Sequence, residues 1–331
     1  MTVGLGEFGR IRAYFAPLAG PGGLGLLDDA ALVACAPGRQ LVMTVDAIVA
    51  GVHYLPDDPP DLVARKLLRV NLSDLAAMGA RPLHYLLTTA LPASHDDDWV
   101  ARFASGLGED QRRYGVDLLG GDSVSTPGPA IFSLTAIGEV AEGAEIRRSG
   151  ACPGDRIWVS GMIGDAGLGL AVLKGGYATL PAAQRAALAE RYRLPEPRVT
   201  LGPCLAGIAH AMADVSDGLL ADLGHICEAS GVAATVAVES LPLSPAAAAA
   251  IATAPEARAR LAARARLAAM GDDYELVFTA PPGADEAVAS AAAEAGVPAT
   301  AIGTIASGEG VHLVDEAGDP VAIDGTGYRH F

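Results

Sequence analysis

Six aspartates stand where a chain can place chemistry: Asp29, Asp46, Asp74, Asp122, Asp214 and Asp217. Asp74 is the most telling. Its stretch, VNLSDLAAMGARP (70–82), reads as helix, and Leu67, Leu68, Val70, Leu72, Leu75, Ala76, Ala77 and Met78 leave little room for a wet face. A carboxylate on such a surface costs roughly several kcal/mol unless it is protonated, paired or bound to a cation. Lys66 and Arg69 precede it by eight and five residues. Neither has the three- or four-residue spacing that pairs side chains along a helix, so its partner must come from elsewhere.

The other five sit at expected turns and strand ends. Asp29 is the second of two adjacent aspartates in LDDAALV, between a glycine-rich loop and an apolar segment read as a strand. Asp46 interrupts the strand pattern LVMTVDAIV, with His53 following the Gly51 turn. Asp122 follows Gly120–Gly121, a pair that lets backbone approach a phosphate closely. Asp214 and Asp217 flank Ser216 in ADVSDGLL. A helix cap explains one of those residues, not both aspartates. A further acidic group, Asp272, Asp273 and Glu275, opens the strand pattern of MGDDYELVFT. Singly, each has a bland reading as a turn, an edge-strand residue or a cap. Together the six aspartates named first suggest a carboxylate cage for several Mg²⁺ ions, which would hold a nucleoside triphosphate through metal. GMIGDAGLGLAVL (161–173) is loosely like a phosphate loop but lacks the GKS or GKT ending.

Composition points the same way. With 23 basic against 39 acidic residues the net charge is −16, which argues against nucleic acid or an anionic membrane as partner. A polyphosphate would also be repelled unless divalent cations stood between. Hydrophobic residues make up 51%, yet no run approaches the roughly 20 of a membrane span, and no signal-peptide pattern opens the chain, so a cytoplasmic location is expected. The four cysteines (Cys35, Cys152, Cys204, Cys227) and seven histidines show no zinc-ligand spacing. They read as reduced, buried thiols without a transition-metal site.

A length of 331 residues implies two domains, with a boundary expected in EGAEIRRSGACPGD. The elements that must position the aspartates alternate strand and helix in two halves, an α/β (α+β) pattern. Helices are expected over 4–15, from about 61 to 79, and over 96–114, 180–192, 199–212, 218–230, 244–269 and 285–295. Strands are expected over 41–49, 83–91, 116–119 (before the GGDS turn), 130–140, 156–160, 233–238, 299–305 and 311–314.

The ordered set GEFGRI, LDDAALV, TVDAIVAGVHY, VNLSDLAAMGARP, LLGGDS, RRSGACPGD, ADVSDGLLADLGHI, GDDYELVF and GYRHF resembles the thiamine-monophosphate kinases essentially end to end. That family belongs to the superfamily of aminoimidazole ribonucleotide synthetase. The resemblance implies an N-terminal α/β domain (1–145) with Mg²⁺- and ATP-binding aspartates, and a C-terminal α/β domain (146–331) completing the ATP and substrate sites. It also implies a homodimer whose N-terminal strands build a shared barrel. Carried over position by position, the six aspartates with Thr44 and the backbone of Val45 match metal contacts. Gly121, Asp122, Arg148 and Ser216 match ATP contacts, and His53, Asp272 and Tyr328 match thiamine phosphate contacts, Tyr328 by stacking.

The sequence departs from the family pattern in four places: GLLDDAA for GIGDDAA, Val45 for Ser or Thr, MGDD for GGED with Asp272 in place of Glu, and Arg329 for an acidic residue. The implied reaction is ATP plus thiamine monophosphate giving thiamine diphosphate and ADP, by direct in-line transfer. The accepting phosphate has a second pKa near ~6, so it is largely ionised at neutral pH and no general base is expected. The absence of an obvious His–Asp pair agrees. Selenophosphate synthetases carry an N-terminal Cys or Sec with a following Lys, both missing from 1–32, and the hydrogenase-maturation relative ends in Cys where this sequence ends in Phe331. A non-catalytic scaffold with acidic clusters is the reading from another class, and it predicts no Mg²⁺-dependent turnover.

Overall fold

The computed structural model describes residues 5–323, 325, 327 and 328. The chain is α/β and divides into two units, one holding residues up to Leu75 with Ala80–Gly143, the other Ala76–Gly79 with everything from Ala144 on. No helix among the described residues is long and apolar enough to cross a membrane.

In the first unit a short helix α1 (Glu7–Arg10) runs into a π turn (Ile11–Phe15) and loop. Then come β1 (Arg39–Val49), α2 (Pro60–Ala77), β2 (Arg81–Leu91), α3 (Asp97–Tyr114), β3 (Asp117–Ser125) and β4 (Ile131–Ala141). The sheet order is β1-β4-β2-β3, open rather than closed into a barrel. Strand alternation puts Thr44, Asp46 and Ile48 on the same face as buried Tyr85, Leu87, Phe132 and Leu134. Helix α3 stacks Trp99 and Phe103 on Phe132 there. The opposite face leaves Met43 and Val45 61% exposed, with Leu86, Val124 and Ile131 beside them in register. Inside α2 the charges are satisfied locally. Arg69 grips Asp110 of α3 through two hydrogen bonds of 2.6 and 3.1 Å, both side chains 1% exposed. Lys66 donates to the His53 carbonyl at 3.0 Å.

The second unit contains β5 (Arg156–Ser160), α4 (Asp165–Leu173), α5 (Ala182–Arg193), α6 (Leu201–Cys204), β6 (Ala211–Asp214), α7 (Leu219–Ser230) and β7 (Ala233–Ala237). It continues with α8 (Pro245–Ala252), α9 (Ala257–Leu267), β8 (Leu276–Ala280), α10 (Asp285–Ala295), β9 (Ala299–Ala306) and β10 (Gly310–Val314). Its sheet order is β10-β7-β9-β5-β8-β6. Both faces are covered, which is why RIWVS and LVFTA are nearly unbroken apolar runs. Ile157, Val159 and Val277 pack with Leu219, Leu223 and Ile226 of α7. Trp158 and Phe278 pack on the other side with Leu201 of α6 and Val288 of α10.

Several sequence expectations are corrected. The helix read over 199–212 is only α6, because Pro203 lacks an N–H and Gly207 turns left-handed at φ 76°; Ala211–Asp214 is a strand against β8. The tract 244–269 breaks between α8 and α9 around Pro255. No strand forms over 30–33, and Gly120–Ser123 lies inside β3 rather than after it. The helix read over 4–15 reduces to α1 and the π turn among the described residues. Cys35 and Cys152 are exposed, while Cys227 is buried.

Candidate active site

In the first unit the expected residues gather in two places. The π turn, the 23–31 loop and β3 line a cleft of about 210 Å³ into which Asp28, Asp29, Gly120, Gly121, Asp122 and Ser123 all face. Gly121 has no room for a side chain, since a Cβ would lie 1.7 Å from the Leu87 carbonyl oxygen. Asp122 bends back to accept the Ser123 N–H at 2.8 Å, and Ser123 is held by Thr89 at 3.0 Å.

The second group lies between β1 and α2. The Thr44 hydroxyl donates to Asp74 at 2.6 Å, which is the partner from elsewhere in the chain that the helix demanded. The Asp46 N–H donates to Asn71, whose amide in turn donates to the Leu67 carbonyl. Asp46 and Asp122 stand on opposite edge strands and opposite faces of the sheet. Three strand spacings separate those edges, about 14 Å. Val45 points to the open face, and its backbone is in register with Thr135. His53 Nδ1 accepts the Val49 N–H at 3.0 Å, so it locks the turn after β1 through that nitrogen.

The second unit brings Ser216, Asp217, Asp272 and Tyr328 together. Asp214 closes β6 almost fully buried. Beyond it the chain stays paired with the acidic turn before β8, through Asp272 N–H to Ser216 O and Tyr274 N–H to Val215 O, each 2.8 Å. Asp272 and Tyr274 are both left-handed (φ 70° and 50°). Gly271 is required here, because a Cβ would sit 2.5 Å from the Ser216 carbonyl. The Tyr328 N–H donates to the Asp217 carbonyl at 2.9 Å, and its ring is half exposed. Arg329 and the two residues after it lie outside the described residues.

The sequence reading missed Asp222, Arg191 and Arg198, and it named Asp273 and Glu275 without showing what they hold. The Asp222 carboxylate accepts the N–H groups of Asp217 and Gly218 at 3.1 Å each, so the start of α7 is fastened from within rather than capped by Ser216. Burial, and then the Asp217 charge, push Asp222 up to about 7, against its N–H donors and Arg148. Its signal was present: a carboxylate four residues past Gly218 can reach back to the first turn. Glu275, fully buried, takes Ser160 at 2.6 Å together with Arg191 and Arg198. Those two arginines therefore neutralise the fold's own acid.

Asp273 accepts Gly164 N–H at 2.6 Å and Ala166 N–H at 3.1 Å, clamping the glycine-rich turn before α4. Burial pushes its carboxyl up to about 8. Its folded pKa lies above its unfolded value, so the protonated form contributes stability fully at low pH and loses it as pH rises towards 8. The expected slope from this group is at most about 1.4 kcal/mol per pH unit between pH 5 and 8. Urea unfolding across that range should show stability falling with pH, and the Asp273→Asn variant should flatten the trend. An unchanged slope would remove Asp273 as its source.

Comparison with known proteins gives a consistent neighbourhood. The AIR synthase related N-terminal domain matches residues 27–140, and the corresponding C-terminal domain matches 152–316. A thiamine-monophosphate kinase of Caulobacter vibrioides is 48% identical over 92% of this chain and 85% of its own length. The crystal structure of thiamine-monophosphate kinase from Stenotrophomonas maltophilia superposes with a TM-score of 0.78 at 42% identity, covering 87% of this chain and 89% of that one. A structure described as AaThiL complexed with AMPPCP and TMP superposes at 0.75, with 30% identity over 99% of this chain and 97% of that one.

Proposed function

The chain belongs to the AIR synthase related family and, within it, to the thiamine-monophosphate kinases, and from that membership we propose that it transfers the γ-phosphoryl group of ATP to thiamine monophosphate, giving thiamine diphosphate and ADP. The observation that carries this reading is the cleft where Asp28, Asp29 and Asp122 meet a backbone kept bare by Gly120 and Gly121. AMPPCP, an ATP analogue, and TMP are the ligands named for the AaThiL relative.

The donor set is all oxygen, which fits Mg²⁺ and not a softer ion. Asp29, Thr44, the backbone of Val45, Asp46, Asp74, Asp122, Asp214 and Asp217 would hold several Mg²⁺ ions. When bound, Mg²⁺ supplies neutralisation and alignment for two polyanions. The protein's own groups do the rest. Gly121 lets backbone come close to phosphate, Arg148 and Ser216 contact ATP, and His53, Asp272 and Tyr328 contact thiamine monophosphate. In this reading, a terminal oxygen of thiamine monophosphate bonds to the γ-phosphorus as the bond to the β-bridging oxygen breaks, in line and without a phosphoenzyme. No base is required because the acceptor is already ionised.

The first domain (1–145) would supply metal ligands and ATP contacts, and the second (146–331) would complete the ATP and substrate sites. A homodimer belongs to the same reading. The exposed apolar face around Met43, Val45, Leu86 and Val124, on a sheet with two open edges, is the surface a second copy would cover to close a shared barrel. A cytoplasmic location follows from ATP as co-substrate.

Purified protein incubated with ATP, Mg²⁺ and thiamine monophosphate is expected to form thiamine diphosphate, followed by chromatography, and to form none once the metal is chelated. Folded protein that binds ATP with Mg²⁺ yet makes no thiamine diphosphate would overturn the acceptor assignment.

A further inference from the structure

We propose that Cys152, Asp155 and His210 form a binding site for a thiophilic divalent cation of the Zn²⁺ class, separate from the aspartate cage. One ligand atom from each lies within 4.8 Å of the others. The sequence hid this site because 55 residues separate Asp155 from His210. The sheet explains the meeting. Strands β5 and β6 both run antiparallel to β8, which lies between them, so their N-terminal ends lie at the same end of the sheet. Cys152 and Asp155 lead into β5 and His210 leads into β6. Asp214 lies at the other end of β6, four residues and about 13 Å away, so the proposed site and Asp214 lie at opposite ends of the same strand.

The site is held before any ion arrives. Asp155 is 2% exposed, and its Oδ2 accepts the Cys152 N–H at 2.9 Å while meeting His210 Nδ1 at 2.9 Å. The Asp155 carbonyl accepts Ile305 N–H, and His210 N–H donates to Thr279, which ties both sides to the sheet. Gly150, at φ 127°, lets the approaching loop press on His210, since a Cβ there would lie 2.4 Å from its carbonyl oxygen. Ser230 Oγ accepts the N–H groups of Gly150 and Ala151 and fixes that loop from behind. Cys152 and His210 are exposed and provide the way in.

Thiolate with imidazole and one carboxylate selects a borderline-soft ion over Mg²⁺, and three protein ligands leave a fourth position for water. On binding, the Cys152 S–H bond breaks, a sulfur–metal bond forms and the proton leaves to solvent.

The test uses the full chain, stripped with a chelator and titrated with Co²⁺ as a spectroscopic probe. A thiolate-to-cobalt charge-transfer band saturating at one equivalent is expected, bleached by Zn²⁺ and unaffected by excess Mg²⁺. Cys152→Ser should abolish the band, and His210→Ala should weaken Co²⁺ binding by about tenfold or more. Circular dichroism is expected to stay native in both, as these side chains are at the surface. Kinase turnover of Cys152→Ser with ATP, Mg²⁺ and thiamine monophosphate is expected to match wild type, so this result stands apart from the kinase reading. No band in the wild type, a band persisting in Cys152→Ser, or displacement by Mg²⁺ would each overturn the proposal.

Discussion

Asp74→Asn protein is expected to form thiamine diphosphate on the order of 10²–10³ times more slowly than wild type while unfolding at the same temperature. The argument starts from the 2.6 Å bond in which the Thr44 hydroxyl donates to Asp74. An asparagine oxygen can accept the same hydrogen, so the contact between β1 and α2 survives the change. What disappears is the negative charge, the property a hard cation requires. Steady-state rates over a series of Mg²⁺ concentrations separate the possibilities. Loss of charge at a metal ligand raises the Mg²⁺ needed for half-maximal rate as well as lowering kcat. A variant within threefold of wild type at all Mg²⁺ concentrations would leave Asp74 as a structural residue only.

The largest stability effect is expected at Asp110→Leu, a loss of about 3–5 kcal/mol. Asp110 accepts from Arg69 with both side chains 1% exposed, and from Arg65 at 3.1 Å. Removing the acid leaves the Arg69 guanidinium buried near the Tyr114 ring, 5.6 Å from its centroid, and a cation–π contact of that kind offsets only a small part of the cost. Adding Arg69→Met to Asp110→Leu removes the buried cation that has lost its Asp110 carboxylate and should recover most of the loss. Equilibrium unfolding in urea measures both variants. If the double variant is no more stable than the single, packing rather than the loss of the carboxylate beside Arg69 causes the damage.

The sequence made the aspartates legible because a carboxylate inside an apolar helix or strand is costly, and that cost can be read without coordinates. Asp74 required a partner from outside its helix, and Thr44 is one. The GDDYE stretch was recognised as acidic, but its geometry was not readable. Asp273 and Glu275 turn inward to bind Gly164, Ala166 and Ser160, more than 100 residues earlier. Asp272 alone of the three is partly exposed beside Ser216. Periodicity also failed at 199–212, where a four-residue strand covered on both faces looks the same as buried helix. The Cys152–Asp155–His210 group was invisible for a related reason: spacing rules find ligands that are near in sequence, and these become neighbours only through the order of strands β5, β8 and β6.

That strand order also has a kinetic side. β5 cannot find either neighbour until β8 and β9 are available, roughly 120 and 145 residues later in the chain. Closing loops of that length before any pairing reward arrives is slow, so refolding of this half should fall in the millisecond-to-second range or beyond. During synthesis, the glycine turn before α4 emerges from the ribosome long before Asp273 can clamp it. Until then, the exposed β5 edge is a surface that chaperones would have to shield.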